Sequence, residues 1–158
     1  MGFISAGELE KFDFRDCVVA SLRESGQEMQ LELEALIVKA TNSQNRNFTD
    51  SYADRTTVLI SDMTIESIVK EGYRYYDAND TLLEEVEDEE LAADEVKLSA
   101  LLQKTFLYSF RQLEEGIYSL EFEIPDEDPT AGTDSYELRI RASKVQFSWE
   151  NYLNRVQY

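Results

Sequence analysis

Tyr118-Ser119-Leu120-Glu121-Phe122-Glu123-Ile124 alternates apolar and polar residues without a break. A β-strand turns successive side chains to opposite faces, so Tyr118, Leu120, Phe122 and Ile124 make one apolar face and Ser119, Glu121 and Glu123 the other. Ahead of this run, Phe106, Tyr108 and Phe110 show the same period of two, and residues 112–116 end on Gly116 and carry turn chemistry; the two runs predict a hairpin. Behind it, residues 125–134 gather Pro, Gly and acids and cannot hold a strand interior, before Tyr136, Leu138, Ile140 and Ala142 resume the alternation. If the strands flanking that loop pair, Glu121 and Glu123 should face Arg139 and Arg141, at about 0.2–1 kcal/mol per cross-strand pair.

The same pattern extends in both directions. Phe12, Phe14, Val18, Ala20 and Leu22 line one face of a predicted first strand, residues 23–27 form a turn, and Met29, Leu31, Leu33, Ala35 and Ile37 return as its hairpin partner. Residues 41–54 are rich in Asn and Ser and read as a surface loop. A third strand begins near Thr56, and its apolar phase slips between Ile60 and Met63, which predicts a bulge at Ser61-Asp62. The run 73–76, the turn formers Asp77-Ala78-Asn79-Asp80 and Leu82-Leu83 predict a further hairpin. Val145, Phe147 and Trp149 alternate again, and Tyr152, Leu153 and Val156 suggest a terminal turn or short helix on the core.

One segment breaks the period. Leu98, Leu101, Leu102, Thr105 and Phe106 fall at helical spacing, with Asp94 and Glu95 where a helix N-terminus favours anions, so a short amphipathic helix is expected over about 94–106. The fold expected is therefore mainly β: one domain over 1–158, an antiparallel sandwich or partly closed barrel of about 7–9 strands with that one helix, and loops at 41–54, 84–95 and 125–134.

Charge narrows the function. The chain of 158 residues has 15 Lys and Arg against 33 Asp and Glu, a formal net charge of -18. Such a field repels phosphate backbones and anionic lipid, so neither a nucleic acid nor a membrane surface is an expected partner, whereas a basic protein surface is. The acids are densest over residues 84–95, where like charges about 4 Å apart repel by ~1 kcal/mol per pair in water. Glu84, Glu85, Glu87, Asp88, Glu89 and Glu90 are the candidate partner-binding surface. The single cysteine and an N-terminal stretch without a basic, apolar leader point to a cytoplasmic location, and the Asn47-Phe48-Thr49 glycosylation pattern then has no role.

Enzymatic constellations are thin. With no histidine, the usual base for a Ser or Cys nucleophile is missing, and Cys17 sits in a strand pattern where cysteine acts as a small hydrophobe. Carboxylate pairs could cleave a glycosidic bond only if two are held about 5–5.5 or 6.5–9.5 Å apart across a pocket, one of them desolvated, which spacing in sequence does not show. Asp77-x-Asn79-x-Thr81, with Asp88 twelfth, has the oxygen spacing of a calcium loop, but Leu82 stands where the sharp turn requires glycine; Asp126, Asp128 and Asp134 make a second, unspecific acidic loop. No Gly-rich phosphate loop follows a strand. Tyr73, Tyr75, Tyr76 and Tyr118 fit cross-strand packing, a ligand groove or an interface. No catalytic, cofactor or metal residue is nominated.

Phe14-Arg15-Asp16-Cys17-Val18-Val19, Leu31-Glu32-Leu33-Glu34-Ala35 and Val58-Leu59-Ile60-Ser61-Asp62-Met63-Thr64-Ile65 resemble small uncharacterised bacterial β-sandwich proteins, some of them similar to toxin-immunity proteins. The common opening there is Phe-His-Asp and a small residue, and Arg15 takes the histidine's place here. The resemblance spans about the first 65 residues and implies a compact cytosolic module that works by binding; it carries over no functional residue. The expected function is thus a non-enzymatic, acidic protein-binding or regulatory module. A small-ligand-binding β-barrel is the alternative, a carboxylate-dependent hydrolase and a structural subunit of a larger assembly are remoter, and the oligomeric state is open.

Overall fold

The computed structural model describes residues 2–93, 97–124 and 134–157, and the period-two runs among them are antiparallel strands. In chain order these are β1 (Phe3–Ala6), β2 (Phe12–Asp13), β3 (Val18–Ser25), β4 (Glu28–Glu34), β5 (Ile37–Val38), β6 (Ser51–Ala53), β7 (Thr56–Ser61), β8 (Thr64–Lys70), β9 (Tyr73–Tyr76), β10 (Leu82–Val86), β11 (Glu89–Leu91), β12 (Phe106–Glu114), β13 (Ile117–Ile124), β14 (Asp134–Arg141), β15 (Lys144–Trp149) and β16 (Tyr152–Arg155). One helix, α1 (Leu98–Leu101), and a 3-10 turn at Leu9–Lys11 complete the described elements.

Ten strands form one sheet in the order β1-β15-β7-β4-β3-β12-β13-β14-β8-β11, and β16-β6-β5-β2 form a second of four. No pairing joins β1 to β11, so the sheet is not closed into a barrel. It folds over on itself instead. β7 and β8 stand third and ninth in the order yet are joined by Asp62-Met63 alone, and β15 and β14 stand second and eighth yet are joined by Ala142-Ser143. The two long strands therefore turn one corner together, as in sandwiches whose strands change sheet at a bend. Asp62 makes the bend at φ 53, a conformation Asp tolerates better than most residues. Ser143 ties the corners, donating its N–H to Ser61 O at 3.0 Å and its hydroxyl to Asp62 Oδ2 at 2.6 Å.

The phase slip at Ser61-Asp62 is thus a corner and not the predicted bulge. The register shift lies later, between Arg139↔Ser67 and Ile140↔Ile65, and leaves Glu66 as the extra residue on β8. The predicted first strand is likewise divided. Cys17 donates its N–H to Phe14 O in a turn, β3 starts at Val18, and Val19 turns inward in place of Val18 and Ala20; a register shift between Val19 and Ser21 then leaves Leu22 buried as expected.

Leu31, Leu33, Leu120, Phe122, Leu138 and Ile140 are fully buried between the two halves. Phe147 stacks on Phe12 at 4.3 Å and lies 6.0 Å from Phe110, and Trp149 meets Phe12 edge-on at 5.9 Å. β13 and β14 pair along their whole length, but not in the expected register: Ser119 faces Arg139, Ile117 faces Arg141, and Glu121 faces Glu137. In this register buried Leu120 lies opposite Leu138 and Phe122 opposite Tyr136; the expected register differs by an even number of residues and would keep the same faces inward. The arginines are paired elsewhere, Arg139 with Glu137 at 3.1 Å and Arg141 with Glu66 at 3.1 Å, while Glu121 meets Arg111 at 3.7 Å.

The helix is shorter than 94–106. Leu98 and Leu102 are buried as expected, but Lys104 at φ 62 ends the turn and Phe106 already belongs to β12; Asp94 and Glu95 lie outside the described residues. Residues 84–95 hold the end of β10 and all of β11 where a loop was expected, and β6 lies inside the predicted loop 41–54. The terminal turn or helix is the strand β16, with Tyr152 4.9 Å from Phe3 and Leu153 exposed. The acids Asp126 and Asp128 of the 125–134 loop lie outside the described residues, and Asp134 opens β14.

Candidate functional site: an acidic, aromatic ribbon

At the end of the large sheet, β8 pairs with β11, Lys70 opposite Glu89 and Ile68 opposite Leu91. Beyond Gly72 the same two chain directions continue as β9 and β10, a separate two-stranded ribbon. Every residue of β9 and β10 is exposed. Tyr73, Tyr75, Tyr76, Leu82, Leu83 and Val86 are each at least 40% exposed, so six large apolar side chains add nothing to the core. Two strands alone are marginal in water, and soluble monomers rarely leave large apolar side chains clustered in solvent.

Its turn is held locally. The Asp77 carboxylate accepts the N–H groups of Asn79 at 2.8 Å and Thr81 at 3.0 Å, and Asp80 takes φ 60. The Asp-x-Asn-x-Thr spacing is that of a side-chain-capped hairpin turn. Pairing of Tyr73 with Val86, Arg74 with Glu85 and Tyr75 with Glu84 sets the two faces. On one face lie Tyr73 and Tyr75, their rings 4.9 Å apart, with Glu84 accepting the Tyr73 hydroxyl at 3.3 Å. On the other lie Tyr76, Leu82 and the ion pair of Arg74 with Glu85 at 2.9 Å. Tyr118, grouped with these tyrosines by sequence, is elsewhere, edge-on to Phe110 at 6.1 Å.

All six nominated acids are described, and the fold brings them to this ribbon and its base. Glu84 and Glu85 are on β10, Glu87 and Asp88 link it to β11, and Glu89 and Glu90 are on β11. Asp88 has a structural task, accepting the Gly72 N–H at 2.6 Å. The side chains of Glu87, Glu89 and Glu90 have no hydrogen bond or ion pair among the described residues. Between ribbon and sheet is a groove of about 180 Å³ lined by Lys70, Glu71, Tyr73, Val86, Glu87, Glu89 and Asp134. That is smaller than the roughly 300–1,000 Å³ of a ligand pocket. Lys70 reaches Asp134 across it at 3.8 Å.

Glu71, which the sequence did not single out, is the most perturbed acid here. Partial burial, then the carboxylates of Glu121, Glu137 and Asp88, raise its pKa. Burial and the neighbouring Glu121 and Glu71 carboxylates also push the Tyr108 hydroxyl upward. Because the folded state holds the Glu71 proton more tightly than the unfolded chain, this residue weakens the fold at neutral pH. The deficit shrinks as pH falls through the raised value towards the ordinary glutamate range. Glu71→Gln is expected to raise the Tm at pH 7 by about 1–3 °C and to make little difference near pH 4, as thermal melts across that range would read. Equal Tm gains at both pH values would assign the effect to something other than charge.

Elsewhere, Cys17 is buried and its thiol is pushed up to about 12 by desolvation, which removes it as a nucleophile. Phe48 is 95% exposed at φ 61 on a loop held by the Asn45 amide, which donates to Val38 O at 2.9 Å and to Thr49 O at 3.0 Å. Among the described residues no group of three or more acidic or cysteine side chains is placed to hold a metal ion, and no helix is long and apolar enough to cross a membrane. No family model, curated protein or solved structure matches the chain.

Proposed function

We propose that this chain is a non-enzymatic, acidic protein-binding or regulatory module whose β9–β10 ribbon and acidic margin, Glu84, Glu85, Glu87, Asp88, Glu89 and Glu90, engage a basic surface of another protein. One observation carries this reading: six large apolar side chains stand exposed on an arm outside the core, beside six carboxylates on that arm and at its base. Interfaces combine an apolar, aromatic centre with a charged rim that steers encounter. The filled interior of the open sheet supports a surface-binding role over an enclosed ligand site. Glu121 and Glu137, facing one another on the outer side of the sheet, are bonded to Arg111, Arg139 and Ser119, which leaves no free acid and base for hydrolysis there. A buried, unreactive cysteine suits a reducing, cytoplasmic setting.

The test is capture from a lysate of the protein's own organism, comparing the native chain with one carrying Glu→Gln at 84, 85, 87, 89 and 90 and Asp88→Asn. Asn retains the oxygen that accepts the Gly72 N–H. A basic protein held at about 50 mM salt, released near 500 mM and missed by the variant is the expected result, because exposed charge pairs are screened beyond a few ångströms at high salt. A partner retained equally by both chains at both salt concentrations would overturn the reading.

A further inference from the structure

Resting on that reading, we propose that the ribbon is a strand-addition site: the outer edge of β9 takes up an extended segment of the partner in which Lys or Arg alternates with apolar residues. Among the described residues neither outer edge of the ribbon is paired, and an unpaired edge presents a row of N–H and C=O groups to any chain able to match it. The two edges differ. β10 has a register shift between Leu82 and Glu84 and then two consecutive glutamates, both features that blunt an edge. β9 is Tyr-Arg-Tyr-Tyr, with no shift interior to it, no proline and no acid.

The chemistry of the occupant follows from the two faces. Side chains of an added strand alternate between them. Those on the first face would meet the rings of Tyr73 and Tyr75 together with Glu84 and, towards the base, Glu87 and Asp134 of the groove. Aromatic rings beside carboxylates attract ammonium and guanidinium groups. Those on the second face would meet Tyr76 and Leu82, where Arg74 is already closed on Glu85, and this face suits apolar side chains. A second copy of this chain is a poor occupant, since it would bring the same acids against themselves within a net charge of -18.

Three short synthetic peptides test this against the full chain: one alternating Lys with Val or Phe, the same with Glu for Lys, and the Lys peptide N-methylated on alternate amides so that one edge cannot donate. Fluorescence anisotropy gives the affinities, and amide hydrogen exchange reports on β9. The Lys peptide is expected to bind at least about tenfold more tightly than either of the others, and to slow exchange of the outward amides of β9. Equal binding of the N-methylated peptide would overturn strand addition while leaving the acidic docking surface standing. Failure of the Lys peptide to bind even at low salt would remove both. Sedimentation showing a dimer with β9 amides already protected would also overturn the proposal, by assigning the edge to a second copy.

Discussion

Phe147→Ala is expected to lower stability by about 3–5 kcal/mol, the range for emptying a fully packed Phe site, and to depress the Tm by roughly 10–15 °C. Phe147 is 2% exposed, and its ring lies 4.3 Å from Phe12, 6.0 Å from Phe110 and 6.3 Å from Phe14. Those neighbours belong to different parts of the fold: Phe110 to β12 on one side of the folded sheet, Phe12 to the four-stranded sheet, and Phe147 to β15 on the other side. A cavity here removes contact among all three at once. The backbone around it cannot collapse readily, since β15 is paired on both edges by β1 and β7. Unfolding should remain a single transition, with near- and far-ultraviolet dichroism shifting together. Phe147→Leu keeps much of the volume and should cost under about 1.5 kcal/mol. A loss below 1 kcal/mol for the alanine variant, or separate transitions for the two signals, would show that the aromatic cluster does not couple the halves.

What could be read in the sequence follows from which features are local. The long alternating runs around Leu31 and Leu120 specified strands and inward faces because a period of two over seven or eight residues has no competing helical reading. Strands of two to four residues, such as β2, β5 and β16, complete no such period. They exist because neighbouring chains accept their hydrogen bonds. The slip at Asp62 was visible as a change of phase, but a bulge and a corner produce the same slip, and only the long-range partners β15 and β14 distinguish them. Register failed at Glu121 for a related reason. Charge matching suggested Arg139 and Arg141, whereas the strands pair with Glu121 opposite Glu137, and Arg111 arrives from β12 to meet Glu121. At the candidate site, the acids at 84–90 were legible as a run. That Tyr73, Tyr75 and Tyr76 project beside them was not, because a strand that alternates poorly reads equally as packed or exposed. Glu71 was invisible: its perturbation comes from partial burial and then from carboxylates on β13, β14 and the β10–β11 link, all brought about by the fold.

Gly72→Ala is expected to uncouple the ribbon from the sheet without unfolding the domain. An added Cβ would overlap the carbonyl oxygen of Val86 and come within 2.6 Å of the Glu87 carbonyl carbon, and both are backbone atoms that no rotamer change can move. Relief requires β8–Gly72 and β10–Glu87 to part where the chains leave the sheet, which also breaks the 2.6 Å bond from the Gly72 N–H to Asp88. The global cost is nonetheless limited. No residue of β9 or β10 belongs to the buried core, so releasing the ribbon surrenders only the partial cover of its own side chains, and the loss is limited to the ribbon's own marginal stability. The Tm should therefore fall by only a few degrees while the amides of residues 73–76 and 82–86 exchange about 10–100 times faster, with those of β4 and β13 unchanged. Binding that depends on a formed β9 edge should weaken in step, because the competent conformation is then a minor one. Ribbon amides that keep their native exchange rates in the variant would show that the crossing at Gly72 is not what holds the arm in place.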